Sequence, residues 1–241
     1  MTRFSKPFRL LSFVGEFKRF AAAHRRQRPD MRIDWSDRWP RLNDRTTHLP
    51  FDAHYTYHTA WAARQLAELR PVRHVDISSL AYFATLCSAF VPMEFYDYRP
   101  AGIVLSNLTC GAADLLQLPF ADQSLPSISC MHTIEHIGLG RYGDPVDVNG
   151  DRSALLELQR VVAPGGSLLV VVPVGEPRVQ YNAHRIYDPK MLEEYLPELS
   201  LTRWALLPDD SSGGLVEQPT REFALQQRYA CGCFHFRRLP V

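Results

Sequence analysis

The stretch Ser167-Leu168-Leu169-Val170-Val171-Val172-Pro173-Val174 constrains the fold more than any other part of the chain. A short, almost pure Leu/Val run is apolar on both sides, and such a strand belongs at the centre of a sheet covered on both faces. The flanking sequence supplies the covering helices in alternation with further strands. Val72–Ile77 reads as a strand, Leu80–Phe90 as a helix, Met93–Asp97 and Ile103–Asn107 as two more strands, and Ser127–His132 as a fourth. A helix from Asp151 to Val162 ends at Pro164-Gly165-Gly166, just before the Leu/Val run. Beyond a polar link come a helix over Asp188–Tyr195, a strand near Leu199–Leu207, a flexible stretch at Asp209–Pro219 and a last strand over about Ala224–Phe236. This alternation predicts an α/β fold with a mainly parallel sheet and right-handed crossovers. The final two strands, joined without a helix, predict an antiparallel end.

Upstream, Tyr55–Leu69 reads as a helix stopped by Pro71, and residues 29–50 as a polar, proline-punctuated linker. Residues 1–28 hold eight basic side chains against Glu16, which leaves 19 basic against 25 acidic over the rest. Phe4, Phe8, Leu11, Phe13, Phe17 and Phe20 recur there at helical spacing. Such a helix either packs on the domain or a second subunit, or lies in a membrane interface against anionic lipid. The expected division is 1–50, a basic N-terminal helix and linker, and 51–241, one α/β domain, because 241 residues leave no room for two full domains. A net charge of +1 gives no footprint for nucleic acid, and five scattered cysteines imply no disulfide framework. Leu10–Val14 is too short for a signal segment or a membrane span. The expectation is a cytoplasmic protein, peripheral to the inner membrane face if its first helix meets lipid.

In a doubly wound sheet, ligands sit beyond the carboxyl ends of the strands. Asp76, Asp97, Asp114 and the segment from His132 to Asp144 all fall there. Asp97 lies 21 residues beyond Asp76, the spacing at which Rossmann folds place the carboxylate for ribose hydroxyls. His132, Glu135, His136, Arg141, Tyr142 and Asp144 form a dense polar cluster, and His184 and Arg185 follow the central strand. Imidazole titrates near neutral pH, so His136 or His184 is a candidate general base, with Glu135 or Asp144 orienting it. The planar forks of Arg141 and Arg185 suit a phosphate or carboxylate. The plainer alternative is that Glu135 and His136 cap a turn. His132 to His136 satisfies H-x-x-E-H without the helix that motif requires, and Cys231-Gly-Cys233 lacks a second ligand pair, so no metal is expected. His48, His54, His58, His74 and His235 are expected to be structural or solvated. Phe51, Tyr55, Tyr57 and Trp61 read as a packing stripe that can also line a sugar pocket.

The run from Ala113-Asp114-Leu115-Leu116 to Ser124 resembles the adenine-flanking segment of class I S-adenosylmethionine methyltransferases. Ser129 to Ile137 is similar to their fourth strand, and Leu158 to Gly166 to the approach to their fifth. Three stretches, Cys130 to Pro145, Val172-Pro173-Val174-Gly175 and Asn182-Ala183-His184-Arg185, resemble the family catalogued as domain of unknown function 268. The resemblance implies a class I methyltransferase-type Rossmann fold, with a mainly parallel seven-stranded sheet and an antiparallel C-terminal strand. It also implies S-adenosylmethionine as cofactor and a place in bacterial surface polysaccharide biosynthesis. Carried over residue by residue, Asp97 would hold the ribose and Asp114 would accept from the adenine amino group. Asp76, followed by Ser78, would open the loop at the methionine end. Methyltransferases follow that first acid with glycines, whereas Ile77-Ser78-Ser79-Leu80-Ala81 has none. Three readings therefore stand: O-methylation of a sugar, glycan or nucleotide sugar; an isomerase or ring-form mutase that has lost the cofactor; and a non-catalytic binding protein of glycan assembly.

Overall fold

The computed structural model describes residues 6–240, with side chains from residue 9 onward. Arg3 and Phe4, and the side chains of Lys6 and Phe8, lie outside the described residues. The chain divides into two compact units, 1–51 and 52–241. In the first, α1 (Lys6–Gln27) is met by the segment that follows it. Phe13 and Phe17 stand 6.3 and 4.9 Å from the Trp35 ring, and Arg45 pairs with Glu16 at 2.7 Å. The expected linker therefore folds back on its helix. Leu11 and Phe20 stay exposed. Among the described residues, no helix is long and apolar enough to cross a membrane.

The second unit opens with α2 (Ala53–Leu69), started by Asp52, whose carboxylate accepts from the Tyr55 N–H. Then follow β1 (His74–Ile77), α3 (Ala81–Cys87), β2 (Met93–Asp97), β3 (Leu108–Ala112), β4 (Leu125–Met131), α4 (Gly150–Val161) and β5 (Val162–Val174). The chain continues through a small hairpin, β6 (Arg178–Gln180) and β7 (His184–Ile186), to α5 (Pro189–Tyr195). It closes with β8 (Ser200–Leu207), β9 (Val216–Glu217), α6 (Arg221–Leu225) and β10 (Ala230–Arg237). The main sheet has the order β3-β2-β1-β4-β5-β10-β8-β9. The first five strands are parallel, and β10 slots antiparallel between β5 and β8.

The Leu/Val run is the spine of this sheet, with Leu168 through Val172 fully buried. Its side chains alternate between two cores. Leu168, Val170 and Val172 pack with Leu155 and Leu158 of α4, while Leu169 and Val171 pack with Trp61 and Leu66 of α2 and Phe83 of α3. Each such side chain contributes about 1.5–3 kcal/mol of transfer free energy.

Four expectations are corrected. The third strand is Leu108–Ala112, not Ile103–Asn107: Val104 is exposed, and Asn107 at φ 57° makes the turn that brings Leu108 opposite Met93. The sheet has eight strands rather than seven, the extra one being the two-residue β9 beside β8 within the stretch expected to be flexible. The polar link after β5 holds the β6–β7 hairpin. Ala224 begins no strand, because Thr220 caps a helical turn by accepting from the Phe223 N–H, and β10 starts at Ala230.

Candidate active site

The strand order reverses between β1 and β4, so the loops leaving these strands diverge and open space at the carboxyl edge. Two cavities occupy it. One, of about 420 Å³, lies beyond β1 and β2 and is lined by Ser79, Ala81, Phe95, Asp97, Arg99 and Ala101. The other, of about 440 Å³, lies beyond β4 and beside the start of β10, and four histidines and three tyrosines dominate its walls. The Arg99 guanidinium of the first lies 5.5 Å over the Tyr142 ring of the second, so the cavities share a wall.

The first cavity is shaped by the loop after β1. Ser78 takes φ 56°, a backbone conformation natural to glycine and costing other residues roughly 1–2 kcal/mol. Hydrogen bonds hold it there: the Ser78 N–H donates to Tyr96 O at 2.7 Å, and the Thr133 hydroxyl to Ser78 O at 2.8 Å. Beside it, the Ser79 hydroxyl accepts from the Met131 N–H at 3.0 Å. Serine thus keeps the loop shape that glycine would give. Asp97 stands on the cavity wall at the end of β2, its Oδ1 accepting from the Arg99 N–H at 2.8 Å.

Asp76 and Asp114 line neither cavity. Asp76 is fully buried and accepts a short hydrogen bond from the Ser129 hydroxyl. Burial pushes its carboxyl up to about 7 against the pull of the Ser129 and Ser79 hydroxyls. Asp114 is exposed and accepts from the Leu116 N–H of its own turn at 2.9 Å.

The second cavity is built by the chain leaving β4. His132 sits at φ 54°, and one 3₁₀ turn over Ile134–His136 drives Glu135 inward, where it is 1% exposed. His132 meets Glu135 Oε1 through Nδ1 at 2.9 Å and Cys231 Sγ through Nε2 at 3.4 Å. Burial opposes a charge on His132, but the bonds to Cys231 and Glu135 outweigh it and raise its pKa to about 10. His136 differs. Its Nδ1 donates to Ala183 O at 2.7 Å, which leaves the lone pair on Nε2, and Nε2 lies 3.8 Å from Glu135, beyond hydrogen-bond reach. Burial lowers the pKa of His136, and that of His184 as well. The His184 ring lies 4.6 Å from Tyr229 and 6.5 Å from His136. Arg141 donates to the same Ala183 carbonyl at 2.9 Å and lies 5.1 Å over Tyr142.

Of the residues singled out from the sequence, His132, Glu135, His136, Arg141, Tyr142 and His184 meet in this cavity. The orienting partner differs: the Ala183 carbonyl aligns His136, and Glu135 aligns His132. Asp144 and Arg185 do not line the cavity. Burial would raise the Asp144 carboxyl, but N–H bonds from Gly138, Gly140 and Tyr142 keep it below the usual range. Arg185, 7% exposed, donates to Ile137 O at 2.7 Å and pairs with Asp151 at 3.4 Å. Both residues shape the loop that presents Arg141 and Tyr142.

Sequence reasoning missed three residues of the cavity wall: Asp52, which caps α2, His54 from its first turn, and Tyr229 from the turn before β10. His54 was expected to be structural or solvated; instead its ring stacks on Tyr229 at 5.1 Å and on His132 at 5.4 Å. No local signal marks such a triplet, whose members the topology alone unites, although the aromatic stripe at Tyr55 hinted at one wall. His58, His74 and His235 are buried as structural groups, with His74 bridging the Ser127 and Ser129 hydroxyls, and His48 is exposed.

The family model described as Caenorhabditis protein of unknown function, DUF268, matches residues 120–196, which run from the approach to β4 through the histidine loop to α5. No curated protein matches the chain. Among solved structures, YcgJ from Bacillus subtilis is similar with a TM-score of 0.54, over 77% of this chain and 100% of its own, at 16% identity. The N-methyltransferase NodS from Bradyrhizobium japonicum WM9, in complex with S-adenosylhomocysteine, gives 0.51 over 74% of this chain and 86% of its own, at 15% identity. The [4+2]-cyclase SpnF gives 0.51 over 75% and 82%, at 13% identity. Likeness at these identities is likeness of fold. The chain has the class I methyltransferase fold, and its residues 120–196, the histidine loop included, match the DUF268 family.

Proposed function

We propose that the protein transfers a methyl group from S-adenosylmethionine to a hydroxyl of a sugar or nucleotide sugar. The observation that carries this reading is the pair of adjoining cavities with the Arg99–Tyr142 wall between them. Donor and acceptor then have separate rooms that meet at one point. The first cavity fits the donor: its volume lies in the range of small-molecule sites, Asp97 stands where a ribose is bound, and Ser78 keeps the glycine-like turn. When bound, the cofactor supplies an electrophilic methyl group.

The second cavity fits a hydroxylated acceptor. Tyr55, Tyr142 and Tyr229 offer aromatic faces with polar ends, and Arg141 offers a cation for a phosphate or carboxylate on the sugar. His136 Nε2 keeps its lone pair, met only by a long 3.5 Å contact from Arg141 Nη1, and the lowered pKa keeps the ring neutral near pH 7, so it can accept the hydroxyl proton as the oxygen attacks. Holding the two reactants in adjacent cavities accounts for much of the rate in such a displacement.

A second reading, a sugar isomerase or mutase without the methyl donor, is favoured by Leu80, which immediately precedes α3 where methyltransferases have glycine. The same fold serves a [4+2]-cyclase and an N-methyltransferase, so fold does not decide between them. Calorimetric titration with S-adenosylhomocysteine does. Micromolar binding to the wild type that disappears in Asp97→Ala supports methyl transfer. No binding to the folded protein at millimolar ligand overturns it and leaves the second reading.

A further inference from the structure

We propose that His54, His132 and Cys231 bind one zinc-type divalent ion, with a fourth coordination position open to the second cavity. One ligand atom from each of these side chains lies within 4.8 Å of the others. The tightest pair, His132 Nε2 and Cys231 Sγ, is 3.4 Å apart. A tetrahedral zinc with bonds of about 2.1 Å to nitrogen and 2.3 Å to sulfur separates those atoms by about 3.6 Å. Closing the site onto an ion therefore requires mainly a small swing of His54, on the half-exposed first turn of α2.

The surroundings are those of a ligand set. Metal-bound histidines donate their other ring nitrogen to a carboxylate or a backbone carbonyl, which fixes the tautomer and the ring direction. Glu135 Oε1 takes Nδ1 of His132 at 2.9 Å, and the His54 ring stacks on Tyr229 with centroids 5.1 Å apart. Glu135 itself is 1% exposed, and among the described residues its Oε2 has no hydrogen-bond partner. A buried carboxylate oxygen left so is costly, and a divalent ion on the far side of His132 compensates it.

The donor set selects the metal and its role. One thiolate and two imidazoles suit zinc, and three protein ligands with an open position mark reactive rather than structural sites. Cys231 is sealed beneath the cavity floor, whereas His54 and His132 line the cavity, so the open position faces the acceptor space. It would take an oxygen ligand, from water or from a substrate hydroxyl, and lower that group's pKa. The H-x-x-E-H run thus contributes one ligand and its orienting carboxylate, while His136 turns to Ala183. The site stands whether or not methyl transfer is the reaction.

The test is titration of the metal-free full-length protein with Co²⁺, followed by absorbance, then competition with Zn²⁺ and a chelator. The expected result is one equivalent of cobalt with tetrahedral visible bands and a thiolate-to-cobalt charge-transfer band, displaced by zinc. Cys231→Ala loses the charge-transfer band; should that variant not fold, Cys231→Ser serves and must lose it too. Glu135→Gln binds zinc roughly 10–100-fold more weakly with unchanged circular dichroism. Absence of stoichiometric uptake by the folded wild type, or a cobalt spectrum indifferent to Cys231, overturns the proposal.

Discussion

His132 and His136 stand four residues apart and are given opposite electrostatic characters by what faces them. Glu135 and Cys231 favour the charged ring of His132, whereas burial together with Arg141 and His132 disfavours a charge on His136, against a smaller opposing pull from Glu135 and the Ala183 carbonyl. The sign of the pH dependence follows. The base role proposed for His136 needs the neutral ring, which is present above its pKa and lost below it, so the lowered pKa is expected to put the acid limb of kcat/KM below the ordinary imidazole value of about 6.5. His136→Gln is expected to cut kcat by roughly 10²–10⁴-fold and to erase that limb, with S-adenosylhomocysteine binding unchanged by calorimetry. A second residue-scale prediction concerns Asp76. Its folded pKa of about 7 lies above the unfolded value of about 3.9, so the folded state binds the extra proton between them and stability falls as pH rises through that window. Asp76→Asn is expected to flatten this slope and raise Tm at pH 8, in thermal melts from pH 4 to 8. The cluster's residue types were legible in the sequence, but their pairing was not, because one 3₁₀ turn decides that Glu135 serves His132 rather than His136.

At the scale of elements, the loop between the 3₁₀ turn and α4 is a positioned structure tied by one carboxylate. Asp144 gathers three backbone N–H groups, and Gly138 is held at φ 78° so close to the Asp147 carbonyl that a Cβ would lie 2.2 Å from that oxygen. Asp144→Ala is expected to cost about 1–3 kcal/mol in denaturant unfolding and to speed amide hydrogen exchange at Gly138, Gly140 and Tyr142. KM for the acceptor should rise more than kcat falls, since Arg141 and Tyr142 ride on this loop. Elements marked by composition were readable: β5 by its aliphatic run, β2 to its last residue, and α4 to within one residue at each end. The third strand was not, because an edge strand paired on one side needs little hydrophobicity. Leu108-Thr109-Cys110-Gly111-Ala112 carries less apolar surface than Ile103-Val104-Leu105 before it, of which Val104 and Leu105 are exposed.

For the molecule as a whole, β10 joins the two halves of the sheet. It hydrogen-bonds β5 on one side and β8 on the other, and its fully buried residues serve both cores. A chain ending at Tyr229 is expected to lose cooperative unfolding and to bind dye as a partly collapsed state, whereas removal of residues 239–241 should leave Tm unchanged. The α/β class and the parallel core were legible because local periodicity encodes them. The long-range partners of the site were not, because nothing near His54 in the sequence refers to Tyr229 or Cys231.

That last separation has a consequence for the protein's own synthesis. The ribosome makes His54 well before Tyr229 and Cys231, yet His54 and Tyr229 line one cavity and Cys231 packs against His132 beneath it. A nascent chain can complete β1 to β5 and the Asp97 cavity first, but the second cavity has no far wall until Tyr229 and β10 have left the exit tunnel. The two cavities are therefore completed in sequence, the second after the first. A stop anywhere upstream of Tyr229 is expected to leave the Asp97 cavity walled and the second cavity open on one side.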